Sequence, residues 1–199
     1  MANIQNPFHT WDSSSGWNPA PIAAPLPTVL GSQPTVLTYD YVNPNPDVLN
    51  VLNCMITDRN AVPQMEVTTY PTSGETSRTV FSRRGTVGEF ASIDWANYAC
   101  VEINGYVSRQ PINQWLRLSA DGRYRIMTVE GKEYMWYHCD GCFYLDLHNF
   151  APSRSNPSLA RVFPIPSSNA IRLELSTEAV QLQHAIVAAA ILYSGRNFN

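Results

Sequence analysis

STEAVQLQHAIVAAAILYSG, residues 176–195, is the strongly helical stretch of this chain, and it is apolar on nearly every side. A helix on a protein surface carries one apolar stripe; one that is apolar all round is enclosed by protein or lipid. The unbroken apolar run, residues 185–193, is far shorter than the ~20 residues that a bilayer span needs. The reading is therefore a helix over about 177–194, enclosed by the rest of its own chain, with no transmembrane span. Ser176 or Thr177 suits the N-cap, Glu178 the positive end of the dipole, and Gly195 a left-handed residue closing the C-terminus.

The remainder reads as strands. Apolar and polar residues alternate between Gly, Pro, Asn and Asp turns, giving twelve candidates: 35–42, 51–57, 64–70, 78–84, 89–95, 99–104, 112–118, 123–129, 133–138, 142–148, 158–163 and 170–175. Two hairpins fix registers. In WLRLSADGRYRIMTV a three-residue loop, Ala120-Asp121-Gly122, pairs Ser119 with Arg123 and Arg117 with Arg125. That register sends Leu116, Leu118, Tyr124 and Ile126 to one face, and Trp115, Arg117, Arg123, Arg125 and Met127 to the other. In YMWYHCDGCFYLDL, Asp140-Gly141 is a type I′ turn that pairs Cys139 with Cys142, His138 with Phe143 and Trp136 with Leu145.

Composition bounds the function. The chain has 199 residues, 44% of them hydrophobic, enough for one substantial core. Its net charge of −3 leaves no electrostatic footprint for nucleic acid. Twelve of the thirteen basic residues are arginine and Lys132 is the lone lysine, a bias that either recognition or genome composition produces. Residues 1–34 hold six of the fifteen prolines and read as a disordered or loosely docked tail ahead of a domain at 35–199. No basic segment followed by an apolar run marks a secretory signal, so the expectation is a cytoplasmic protein with free Cys54, Cys100, Cys139 and Cys142.

These elements resemble a known architecture. About a dozen strands followed by a C-terminal hydrophobic helix are similar to the closed tubby-like barrel of tubby domains, LURP-one-related proteins and phospholipid scramblases. The stretches FSRRGTVGEFASIDW (81–95), WLRLSADGRYRI (115–126), GKEYMWY (131–137) and ARVF (160–163) resemble an uncharacterised group of mushroom, hence fungal, proteins. The resemblance implies a closed antiparallel barrel of about twelve strands around the helix, and a binding role at lipid. The chain departs from that group at its end, where residues 194–199 hold one arginine instead of a basic cluster.

Among candidate sites, Trp115, Arg117, Arg123 and Arg125 share a predicted face, while Arg83 and Arg84 adjoin a turn at Gly85. Guanidinium groups beside an indole grip phosphate or a headgroup through paired hydrogen bonds. The alternative is a solvated face whose arginines pair with Glu89, Glu102, Glu130 or Asp146. Cys139 and Cys142 have the spacing of half a metal knuckle, but no second pair completes four ligands, so no metal and no cofactor is expected. No catalytic motif is present; His184, on the central helix, reads as a polar group at the barrel mouth bonded to a backbone carbonyl. The expectation is a non-enzymatic module for a lipid headgroup or a protein partner. Its alternative is an enzyme or small-molecule carrier with a pocket at the barrel rim, and the oligomeric state is open.

Overall fold

The computed structural model describes residues 36–43, 50–72, 76–96, 98–148, 158–165, 168–176 and 182–195. The expected tail, Thr177, Glu178 and the residues after Gly195 lie outside them. Thirteen strands and two helices follow one another: β1 (Val36–Val42), β2 (Cys54–Asp58), β3 (Pro63–Pro71), β4 (Ser77–Arg83), β5 (Glu89–Trp95), β6 (Cys100–Ile103), β7 (Val107–Pro111), α1 (Ile112–Trp115), β8 (Leu116–Leu118), β9 (Tyr124–Val129), β10 (Lys132–Cys139), β11 (Cys142–Leu147), β12 (Ala160–Ile165), β13 (Ala170–Ser176) and α2 (Leu182–Tyr193). Ser176 ends β13 and so belongs to the sheet. Gly195 adopts φ +68°, the left-handed closure expected.

Strand alternation sorts side chains as the pattern requires. In β13, Ile171, Leu173 and Leu175 are buried while Arg172 and Glu174 are half-buried between them. In β10 the buried residues are Tyr134 and Trp136. These inner faces enclose α2, in which none of residues 185–192 exposes more than 2% of its surface. Burial on every side explains why the helix needs no polar face.

The sheet is one antiparallel ladder in the order β7-β6-β5-β4-β3-β2-β1-β13-β12-β11-β10-β9-β8. It has thirteen strands where about twelve were expected, and it is not closed by hydrogen bonds. Parity supplies the reason. Thirteen strands in a row make twelve reversals of direction, so the edge strands β7 and β8 run in the same sense. Parallel neighbours need a crossover of a dozen or more residues. Here α1 alone, four residues or about 6 Å of helix, joins them. It buries Ile112 and Trp115 and packs on β6, β7, β8 and β9, so a helical turn occupies the seam that a ladder would have filled.

Both hairpin readings meet a test. The β10–β11 register is the expected one, with Cys139 opposite Cys142, and Asp140 and Gly141 at φ +49° and +74° form the type I′ turn. The β8–β9 register is not: Leu116 faces Met127 and Leu118 faces Arg125, one residue out of the expected phase. Turn chemistry overrides hydrophobic pattern here. The Ser119 N–H donates to Tyr124 O at 2.9 Å, and Ser119 Oγ accepts from the N–H groups of Arg123 and Tyr124 at 3.1 and 3.2 Å. Asp121 Oδ1 accepts from Ser119 Oγ at 2.6 Å, completing a polar knot over the four-residue loop 120–123. The consequence is that Arg125 turns to the inner face beside Trp136.

Candidate functional site

The slipped register dissolves the expected arginine face. Trp115 and Arg125 are 4% and 3% exposed, and Arg125 donates from Nη1 to Leu116 O at 3.0 Å. Burial pushes its guanidinium down to about 10. Arg117 lies outside, held by Glu133 at 3.0 Å, and Arg123 reaches Asp121 at 3.8 Å. The other strand-face arginines are paired as well: Arg78 with Glu89 and Asp94, Arg109 with Asp94, Arg161 with Glu174, and Arg172 with Asp40 through two hydrogen bonds of 2.7 and 2.8 Å. These arginines are ion-paired, but of the acids expected as partners only Glu89 serves among the described residues.

Arg83 and Arg84 are different. Together with Arg59 and Lys132 they are exposed and form no ion pair among the described residues. All four belong to one end of the sheet. Antiparallel alternation puts the β2–β3, β4–β5, β6–β7 and β9–β10 turns at that end, together with the start of α2. The first three tips adjoin one another. Arg59 and Val62 lie in the β2–β3 turn, Arg84 N–H donates to Gln64 O at 3.0 Å, and the Asn104 amide donates to Glu89 O at 2.7 Å, tying the β6–β7 turn to β5. The Arg83 guanidinium lies 5.7 Å from the Phe90 ring centroid. Val87 is fully exposed, and Val62 and Tyr106 are 50% and 48% exposed. The acids of this end are occupied: Asp58 accepts from the N–H groups of Asn60 and Val62 and from Gln64, and Glu89 holds Arg78. Glu130 is exposed in the β9–β10 turn beside Lys132. The rim thus presents cations that are unpaired among the described residues, set among projecting apolar side chains.

Beneath Tyr106 lies the seam. His184, 1% exposed, meets the Tyr106 ring edge-on at 5.4 Å and the Trp115 ring at 6.4 Å. Its Nδ1 and the Nε1 of Trp115 have no hydrogen-bond partner among the described residues, so the expected bond from His184 to a backbone carbonyl does not form at Nδ1. Burial lowers the pKa of His184, and the Glu130 carboxylate opposes that in part. Sequence reasoning placed His184 at the mouth but missed Tyr106, whose Asn104-Gly105-Tyr106 turn is too short to advertise a ring contact with the helix.

At the opposite end, Cys139 and Cys142 flank the β10–β11 turn with free thiols. Among the described residues no three His, Cys, Asp or Glu side chains gather as a metal site. His138 packs on Phe143 at 5.0 Å, on the face away from the thiols as expected. A surface cleft of about 370 Å³, lined by Val42, Asn53, Cys54, Glu66 and Thr68, opens between β1, β2 and β3.

A family of unknown function matches the chain over residues 48–196. No curated protein matches it. Among solved structures, the X-ray structure of a protein from Arabidopsis thaliana is similar over 81% of this chain and 90% of that one, at 11% identity and a TM-score of 0.45. No described helix is long and apolar enough to cross a membrane.

Proposed function

The chain belongs to the DUF6593 family of unknown function, and we propose that it is a non-enzymatic binding module that docks on anionic lipid headgroups through Arg59, Arg83, Arg84, Val62, Val87 and Tyr106. The observation that carries this reading is the gathering at one rim, around apolar side chains, of cations that form no ion pair among the described residues, while Arg78, Arg109, Arg117, Arg161 and Arg172 find carboxylates. Each arginine near an anionic leaflet contributes about 1 kcal/mol of attraction, and an inserted valine adds apolar burial. The net charge of −3 makes the attraction local, so it also sets which end meets the surface. Kinship with tubby-like, LURP-one-related and scramblase barrels, a fungal source and an intracellular setting belong to the same reading. The meander around a central helix supports the kinship.

The test is sedimentation with phosphatidylcholine vesicles that contain or lack phosphatidylserine or a phosphoinositide. Binding requires the anionic lipid and weakens with salt, because exposed charges are screened over ~8–10 Å. Reversing two arginines in R83E/R84E removes at least about 2 kcal/mol, a loss of roughly 30-fold or more. Absence of binding by the unmodified chain to every anionic vesicle refutes the lipid reading and leaves a protein partner. One observation favours the alternative of an enzyme or carrier with a rim pocket: His184 Nδ1 and Trp115 Nε1, under Tyr106, have no hydrogen-bond partner among the described residues. A thermal-shift screen of small metabolites separates the two, since that alternative requires a stabilising small ligand whose effect is lost in Tyr106→Ala.

A further inference from the structure

We propose that Cys139 and Cys142 form a reversible dithiol–disulfide couple that tightens the hairpin on which the central helix ends. The two residues are direct cross-strand partners flanking a two-residue turn, so their side chains leave the sheet on the same face. Direct partners in an antiparallel ladder have Cα atoms about 4.5–5.5 Å apart, inside the ~4.4–6.8 Å that a disulfide spans. Both thiols are free and half-exposed, whereas Cys54 is 4% exposed and donates to Val51 O at 3.3 Å. Cys100 is on β6, in the other half of the sheet.

The order of attack follows from the surroundings. Burial, then the Asp140 carboxylate, raises the pKa of the Cys139 thiol, which disfavours it as the first nucleophile. With a low-molecular-weight disulfide such as oxidised glutathione as oxidant, the Cys142 thiolate attacks one sulfur and releases one glutathione thiolate, leaving a mixed disulfide. The Cys139 thiolate then attacks the Cys142 sulfur and expels the second glutathione thiolate. Two protein thiols lose two protons and two electrons, and one glutathione disulfide becomes two thiols.

The couple is placed where it reaches the core. Tyr193, the last residue of α2, directs its hydroxyl at Gly141 O and Val162 O at 3.3 and 3.2 Å and sets its ring edge-on to Phe143 at 5.1 Å. Gly141 lies between the two cysteines, so the turn that the bridge closes is the turn that holds the helix end.

The experiment equilibrates the full chain in glutathione buffers of increasing oxidised fraction, quenches with acid, alkylates under denaturant and identifies peptides by mass. The expected result is that the peptide carrying Cys139 and Cys142 loses two hydrogens and takes no label, while Cys54 and Cys100 are labelled. Cys139→Ser stops at one glutathione adduct on Cys142. Hydrogen exchange adds a readout in the unmodified chain: the amides of the turn and of the last turn of α2 slow on oxidation and recover on reduction. Labelling of both thiols at the most oxidising ratio overturns the proposal. So do a stable double glutathione adduct, a bridge to Cys100 or to a second chain, and a bridge that leaves exchange at the end of α2 unchanged.

Discussion

The hydroxyl of Tyr41, on β1, donates to the carbonyl oxygen of Ile186, inside α2, at 2.8 Å, a buried hydrogen bond between residues 145 apart in sequence. It fixes the height and rotation of the helix against the wall, because a carbonyl already used along a helix still has a lone pair free for a lateral donor. Tyr41→Phe removes the donor and leaves the carbonyl its helical partner, so the expected loss is about 0.5–1.5 kcal/mol. Tyr41→Ala also empties a fully buried ring site, for about 3–5 kcal/mol. Urea denaturation of the three proteins checks the ordering; equal losses for Phe and Ala would mean that the ring carries nothing.

Ala188 sits at the middle of α2 with no exposed surface. Ala188→Asp places a carboxylate where water does not reach, and the protein either distorts or keeps the acid protonated at a cost of several kcal/mol. Set against a total stability of ~5–15 kcal/mol, the expected outcome is no soluble, cooperatively melting protein. Expression beside an Ala120→Asp control at an exposed turn checks this.

The parts of the fold that were legible are those decided by local chemistry. Asp140-Gly141 names its own turn, because both residues accept positive φ, and an all-apolar helix announces its enclosure. β7 was not legible, since Val107-Ser108-Arg109-Gln110-Pro111 offers one buried apolar residue and no alternation. Residues 112–118, predicted as one strand, split into α1 and β8, which follows from the odd strand count and not from any local signal. The site was half legible. Arg83 and Arg84 stand at the rim, but whether an arginine is free depends on tertiary partners such as Asp40 for Arg172, 132 residues away.

His184 and His138 give the stability a definite pH dependence. Burial depresses both pKa values in the folded protein, so between the folded value and the unfolded ~6.5 the unfolded chain binds more protons. Their contribution to stability is therefore complete above about pH 6.5 and is lost as the pH falls below it. The urea midpoint should fall from about pH 7 to pH 5, and His184→Gln should flatten that slope. An unchanged slope in His184→Gln would place the titration at His138 or at carboxylates.

Arg125 separates the rim from the face that the sequence suggested. Its guanidinium lies against Leu116 O on the inner side, out of reach of a vesicle. Arg125→Met keeps the apolar stem inside the wall and removes the buried charge with its hydrogen bond to Leu116 O, so vesicle binding should match that of the unmodified chain once folding is verified by its melting transition. R83E/R84E, exposed at the rim and outside every ion pair described, should lose binding with an unchanged melting temperature. Solvated charges contribute little to folding, yet on an anionic leaflet each contributes about 1 kcal/mol. Sedimentation at low and high salt decides between the two surfaces. Binding lost in Arg125→Met and kept in R83E/R84E would return the site to β8 and β9, and would require that hairpin to open before it meets the lipid.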